Sequence, residues 1–192
     1  IAYIRQNNPS GLGHAVWCAR RLIRNEPFAV ILTDDVISGQ TPCLKQMVDA
    51  YQDTGGCMVA TMEVPKDQIG AYGVLDADMT GQKLVKARGI VEKPDPAQAP
   101  SNLAVVGRYI LTPDILRSLN DKTIGAGGEI QLTDAIASEI TQGRDVHGFC
   151  FDGTRFDCGS KAGFLQANVA FGLAHPELGP EFQDYLDTIF NS

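Results

Sequence analysis

The apolar positions fall into short continuous or alternating runs separated by helical spacings, which predicts strands and helices in turn. Ile1 to Ile4 reads as a strand. Ser10-Gly11-Leu12-Gly13-His14 then enters a helix expected to reach about Arg24, with Ala15, Val16, Ala19, Leu22 and Ile23 on its apolar face. Phe28 to Leu32 is an unbroken apolar run ending at Thr33-Asp34-Asp35, the pattern of a buried parallel strand with carboxylates at its C-terminal end. A helix over 43–54 is stopped by Gly55 and Gly56, and 57–64 reads as another strand. Strands are expected over 72–77, 84–92 and 103–111, then helices over 113–119 and 130–141, the second preceded by Gly125-Ala126-Gly127-Gly128. A strand over 146–151, a turn at 156–159, a helix over 161–173 and an amphipathic helix over 181–190 complete the chain. This alternation, interrupted by a run of strands, predicts an α/β layer fold with a mixed sheet.

A chain of 192 residues can bury a substantial core, and we expect a single domain over 1–192. The segment 178–192 is expected to form a C-terminal helix whose apolar residues Phe182, Leu186, Ile189 and Phe190 either contact another copy in a homo-oligomer or pack on their own domain. A net charge of -7 excludes a general nucleic-acid binder, which needs clustered Lys and Arg, but leaves local anion sites open. The cysteines at 18, 43, 57, 150 and 158 are odd in number and show no CxxC spacing, as expected for reduced thiols in a cytoplasmic protein without a zinc site. The apolar runs are too short to span a membrane.

Candidate chemistry clusters around Val91-Glu92-Lys93-Pro94. A carboxylate accepts hydrogen bonds from sugar hydroxyls, and an adjacent ammonium offers a point charge to a phosphate, so the pair suits a phosphosugar. Asp34 and Asp35 stand at the end of a strand, where α/β sheets place their ligands, and one of them could bind Mg²⁺; a helix cap or solvated turn is the plainer alternative. Asp157 is either a second ligand for that ion or the cap of the helix beginning near Lys161. Gly11 and Gly13 at a loop-to-helix junction allow close backbone approach to a ligand, or simply a tight turn. Glu129 either favours the start of a helix or lies under a mobile glycine flap. His14 has no Asp near it in sequence, which leaves a catalytic triad without support, and Trp17 is expected in the core.

Taken in order, several segments resemble the bacterial UTP–glucose-1-phosphate uridylyltransferases. They are Arg5-Gln6 with Gly11 to Val16, Phe28 to Asp35, Ala71 to Val74, Val91 to Pro94, Ala99 to Tyr109, Gly125 to Ile136 and Asp157-Cys158-Gly159. The resemblance implies a Rossmann-like nucleotide-diphospho-sugar transferase fold with a mixed central sheet and a small strand insertion. It implies that Gln6 and Gly11 contact uracil, that Asp34 and Asp157 hold Mg²⁺, and that Tyr72, Gly73 and Gly107 line the sugar pocket. Glu92 would grip glucose hydroxyls and Lys93 the sugar phosphate, with Glu129 and Lys161 nearby; Lys93 and Asp34 would be the catalytic pair. The implied substrates are UTP and glucose 1-phosphate, and the product UDP-glucose.

Two departures stand out. Thr33 occupies a position where the family usually has Pro, and no Gly-x-Gly-Thr-Arg loop for the triphosphate is present. On this reading the chain is expected to be an N-terminally truncated form, impaired in catalysis and prone to self-association along exposed strand edges. The alternatives are a non-catalytic sugar-nucleotide binding homologue, or a transferase for another base or sugar.

Overall fold

The structure, a computed structural model, describes residues 1–78, 82–121 and 123–191. Its centre is β7 (Leu103–Leu111), a nine-residue strand buried at every position except Arg108. On one side β7 pairs antiparallel with β3 (Cys57–Glu63), and β3 pairs parallel with β8 (Val146–Cys150), which makes the sheet mixed as expected. On the other side β7 carries two strands in succession. β4 (Gly73–Asp76) pairs at Ala104, and β1 (Phe28–Ile31) pairs over Arg108 to Leu111. The stretch of β7 between them has no strand on that edge among the described residues, and this gap matters below.

The expected strand over 84–92 is two strands, β5 (Leu84–Lys86) and β6 (Gly89–Glu92). β5 pairs with β8 at one edge of the sheet and β6 with β4 at the other. Two intervening residues can join opposite edges only because the sheet is strongly curled. Gly148 permits the curl: a Cβ there would lie 2.5 Å from Leu75 Cδ2 across the fold.

Side chains alternate across the two faces with the period of a strand. Cys57 and Val59 join Leu103, Val105, Tyr109 and Leu111 in the larger core, with Ile115, Leu119, Leu132 and Ile136 of the covering helices. Those helices are α3 (Ile115–Asn120) and α4 (Leu132–Thr141), joined by Val16 from α1 (Leu12–Cys18). Met58, Ala60, Val106 and Ile110 face the other way, against Cys43 and Met47 of α2 (Cys43–Thr54). A separate ribbon of β2 (Asp35–Ser38) and β9 (Thr154–Asp157) leads into α5 (Lys161–Ala174) and α6 (Gly179–Phe190).

Three expectations are corrected. Residues 1–4 form no strand, and Ile1 and Tyr3 are exposed, because they pair with no strand among the described residues. β1 is antiparallel rather than parallel and only half-buried, since its far edge is unpaired among the described residues; Ile31 is 50% exposed. The first helix ends at Cys18, with a 3-10 turn over Ala19–Arg21, because the apolar face is exhausted: Leu22 projects into solvent. In the 178–192 segment, Phe182 packs against Gly172 of α5 while Ile189 and Phe190 are exposed; Ser192 lies outside the described residues.

Candidate active site

The gap along β7 opens into a cleft of about 280 Å³. Val105, Gly107 and Tyr109 form its floor, being alternate residues and therefore on one face of the strand. The walls come from the strands that diverge around the gap. Tyr72, Gly73 and Glu92 line the β4–β6 side, and Asp34, Asp35, Arg155 and Asp157 line the ribbon side. Leu132 and Thr133 at the start of α4 also line the cleft.

The two aspartates expected to hold a metal come together. Gly159 lies between them, and a Cβ there would sit 3.1 Å from Asp157 Oδ1 and 3.2 Å from Asp34 Oδ2. The backbone pins the arrangement. Cys158 N–H donates to the Asp34 carbonyl at 2.7 Å, and Gly159 N–H donates to Asp157 Oδ1 at 3.1 Å. Both carboxylates are exposed, and neither forms an ion pair among the described residues. Such a pair fits a divalent cation that also takes phosphate oxygens.

Asp35 does something else. It is 5% exposed and its Oδ2 accepts the Gly107 N–H at 2.6 Å, while Oδ1 is bound by the Arg155 guanidinium. Gly107 is obligatory here, since a Cβ would lie 2.6 Å from the Asp35 carboxylate and 2.7 Å from Leu32 Cβ. Burial acts to lower the Arg155 pKa, but Asp35 and the Tyr72 hydroxyl outweigh it and keep the guanidinium charged. Burial raises the Tyr109 phenol, reinforced by the charges of Asp35 and Glu92, so its hydroxyl stays protonated.

On the opposite wall Glu92 Oε2 accepts a hydrogen bond from Thr133 Oγ1 at 2.8 Å. Gly73 lets these two side chains meet, because a Cβ would stand 2.8 Å from Thr133 Cγ2 and 3.1 Å from Glu92 Oε2. Lys93 follows Glu92 with a left-handed φ of 45°, unusual for a residue with a side chain. Its N–H donates to the Tyr72 carbonyl at 2.9 Å, and its ammonium is exposed and outside the cleft lining.

The remaining expected residues stand at the rim or beyond it. Gln6 Nε2 donates to the Gly11 carbonyl at 3.0 Å, and Gly11 has a φ of 100°. Two backbone bonds, Ile130 N–H to Ser10 and Gly13 N–H to Ile130, tie this loop to the segment carrying Glu129. Glu129 is exposed and precedes α4 rather than sitting in its first turn, where Asp134 stands. The glycines before it form an ordered turn, with Gly125 N–H bonded to the Glu129 carbonyl at 2.8 Å. Lys161 is the first residue of α5, capped by Ser160, and is exposed. Gln6, Gly11, Lys93, Glu129 and Lys161 therefore do not line the cleft.

Sequence reasoning missed Arg155, Tyr109 and Thr133. Arg155 lies two residues before Asp157 on one strand, hence on the same face, and that spacing was the available signal.

The chain is similar to several known proteins. The chain is 41% identical over 191 residues to UTP--glucose-1-phosphate uridylyltransferase of Bacillus subtilis, covering all of this chain and 65% of that protein. It is 51% identical over 152 residues to the protein of the same name from Komagataeibacter xylinus, covering 79% of this chain and 53% of that one. A solved structure of UDP-glucose pyrophosphorylase complexed with UDP-glucose matches with a TM-score of 0.84 and 43% identity, over 88% of this chain and 65% of the other. A UTP-bound enzyme from Acinetobacter baumannii matches with a TM-score of 0.86 and 38% identity, over 95% and 64%. The chain thus spans between 53% and 65% of the length of these curated relatives. Residues 1–172 match the nucleotidyl transferase family, and the chain belongs to that family.

Proposed function

We propose that the protein containing this chain transfers the uridylyl group of UTP to glucose 1-phosphate, giving UDP-glucose and pyrophosphate. The observation that carries this reading is a single cleft with a hydroxyl-binding wall, Tyr72, Gly73 and Glu92, facing two free carboxylates, Asp34 and Asp157. Relatives bearing the uridylyltransferase name support it.

Glu92, held by Thr133, accepts hydrogen bonds from glucose hydroxyls, and Tyr72, Gly73 and Gly107 shape the pocket around the ring. The exposed Lys93 ammonium meets the sugar phosphate. Gln6 and the Gly11 loop receive the uracil, and Glu129 and Lys161 stand near the phosphates. Asp34 and Asp157 would hold Mg²⁺, which when bound neutralises nucleotide phosphate charge. A phosphate oxygen of glucose 1-phosphate forms the new bond to the α-phosphorus of UTP as the bond to pyrophosphate breaks. A phosphate dianion is already nucleophilic, so the side chains supply alignment and charge balance and no general base. We place the protein in the cytoplasm, as one domain whose C-terminal helix pair meets a second copy through Ile189 and Phe190, both exposed. No described helix is long and apolar enough to cross a membrane.

The test is pyrophosphate release by the full-length protein with UTP, glucose 1-phosphate and Mg²⁺, with TTP, ATP and other hexose phosphates as comparators. Turnover selective for the first pair supports the reading; faster turnover with another base or sugar overturns it.

A further inference from the structure

Asp35 and Arg155 form an ion pair, Asp35 buried and Arg155 largely so, that the chemistry above leaves without a part. The ribbon beside Asp34 and ending at Asp157 pairs β2 with β9, Asp35 standing opposite Asp157, and shares no strand ladder with the main sheet among the described residues. Asp34 and Asp35 are neighbours with different fates: one carboxylate is exposed beside Asp157, the other buried against β7. On β7, Asp35 takes the Gly107 N–H. It also anchors Arg155, whose side chain is 12% exposed. From that anchor Arg155 Nη1 donates to the Tyr72 hydroxyl at 3.0 Å, with the guanidinium carbon 5.3 Å from the centre of the Tyr72 ring. Tyr72 lies between a 3-10 turn and β4, its N–H donating to the Ile69 carbonyl at 3.1 Å and its own carbonyl bound by Lys93, while its side chain is held by Arg155.

We propose that Arg155, anchored on Asp35, is a positioning residue that fixes the Tyr72 wall of the sugar pocket and so sets the affinity for the hexose phosphate. The assignment rests on the reading of the cleft as a sugar-nucleotide site. Severing the link to Tyr72 leaves Asp35 bound to Gly107, so the carboxylate ribbon stays docked and nucleotide binding is spared. A ring that is no longer held must be ordered by the incoming sugar, at a cost in affinity.

The experiment uses the full-length protein with Tyr72→Phe, Arg155→Lys and both together, chosen because each keeps the buried charge compensated. We expect each single change to raise KM for glucose 1-phosphate by roughly five- to tenfold, the worth of one hydrogen bond. The double variant should be no worse than either single one, since both remove the same bond. KM for UTP should stay within about twofold, well under the tenfold that one such bond commands. Additive losses, an equal rise in KM for UTP, or unchanged kinetics would overturn the assignment. If the unaltered protein fails to make UDP-glucose, the functional reading falls and this one with it; if it is active and the variants behave otherwise than stated, only this one falls.

Discussion

On the cleft side, Asp34 and Asp157 are exposed and converge around Gly159 with no ion-pair partner among the described residues. Away from the cleft, Glu139 on α4 is fully buried; its Oε1 accepts bonds from Ser118 and Arg144, both at 2.7 Å, and its Oε2 has no hydrogen-bond partner among the described residues. Both regions concentrate charge, and only at Glu139 does a cation of the chain, Arg144, pair with it among the described residues. A buried carboxylate must be compensated by the protein, which makes it part of the scaffold. Exposed, converging carboxylates without a cation repel each other and lower their energy when a cation arrives. Asp35 belongs to the first kind although it adjoins Asp34 in sequence and lines the cleft.

The comparison can be broken most directly at the exposed carboxylates. Asp34→Asn is expected to lower the turnover of the full-length protein by about a thousandfold or more, consistent with loss of a charge acting on the transition state. Its melting temperature should hold or rise as the like-charge repulsion is relieved; calorimetry and steady-state kinetics across a Mg²⁺ titration check both. Glu139→Ala should do the reverse. Loss of a buried, paired carboxylate costs about 3 kcal/mol in urea unfolding, while KM values stay near those of the unaltered protein, because Glu139 does not line the cleft. Loss of activity without loss of stability there would dissolve the distinction.

Gly107→Ala sharpens the middle case. Its Cβ would displace the Asp35 carboxylate, so stability should fall by roughly 2 kcal/mol and affinity for the sugar phosphate with it. Lys93→Gly separates strain from charge. Relief of the left-handed backbone should stabilise the fold by up to about 1 kcal/mol, while KM for glucose 1-phosphate rises for want of the ammonium. The smallest effect concerns His147. Burial lowers its pKa, opposed by Asp145, so its neutral form is the one the fold favours. Its contribution is present above its unfolded pKa, near 6.5, and is lost as pH falls below that value. His147→Gln should flatten the melting temperature against pH below about 6.5 and leave it unchanged at pH 8.

Much of the layer order was legible because strand and helix periodicities are local properties. Cys57 to Glu63 and Leu103 to Leu111 read as strands and are strands, since their branched, apolar residues are buried on both faces. Where the reading failed, the missing information was a partner. Residues 1–4 have strand composition but are paired with no strand among the described residues, and 84–92 splits because the curl of the sheet pulls its halves to opposite edges. The cleft shows the same division. Glu92, Lys93, Asp34 and Asp157 stand out as charges placed at strand ends. Arg155 is marked only by its spacing from Asp157 on one strand, and Tyr109 and Thr133 carry no such mark and acquire their place only from what folds against them.

The sequence alone determined the alternation of elements and the charged residues that stand at the strand ends. Tertiary structure alone decided which of two adjacent aspartates is free. That choice could not be read locally, because it depends on a backbone N–H of Gly107 and a guanidinium of Arg155, 72 and 120 residues further along the chain. Hydrogen bonding to a buried carboxylate is settled by what the fold brings within reach, and the chain separation of the partners carries no trace of it.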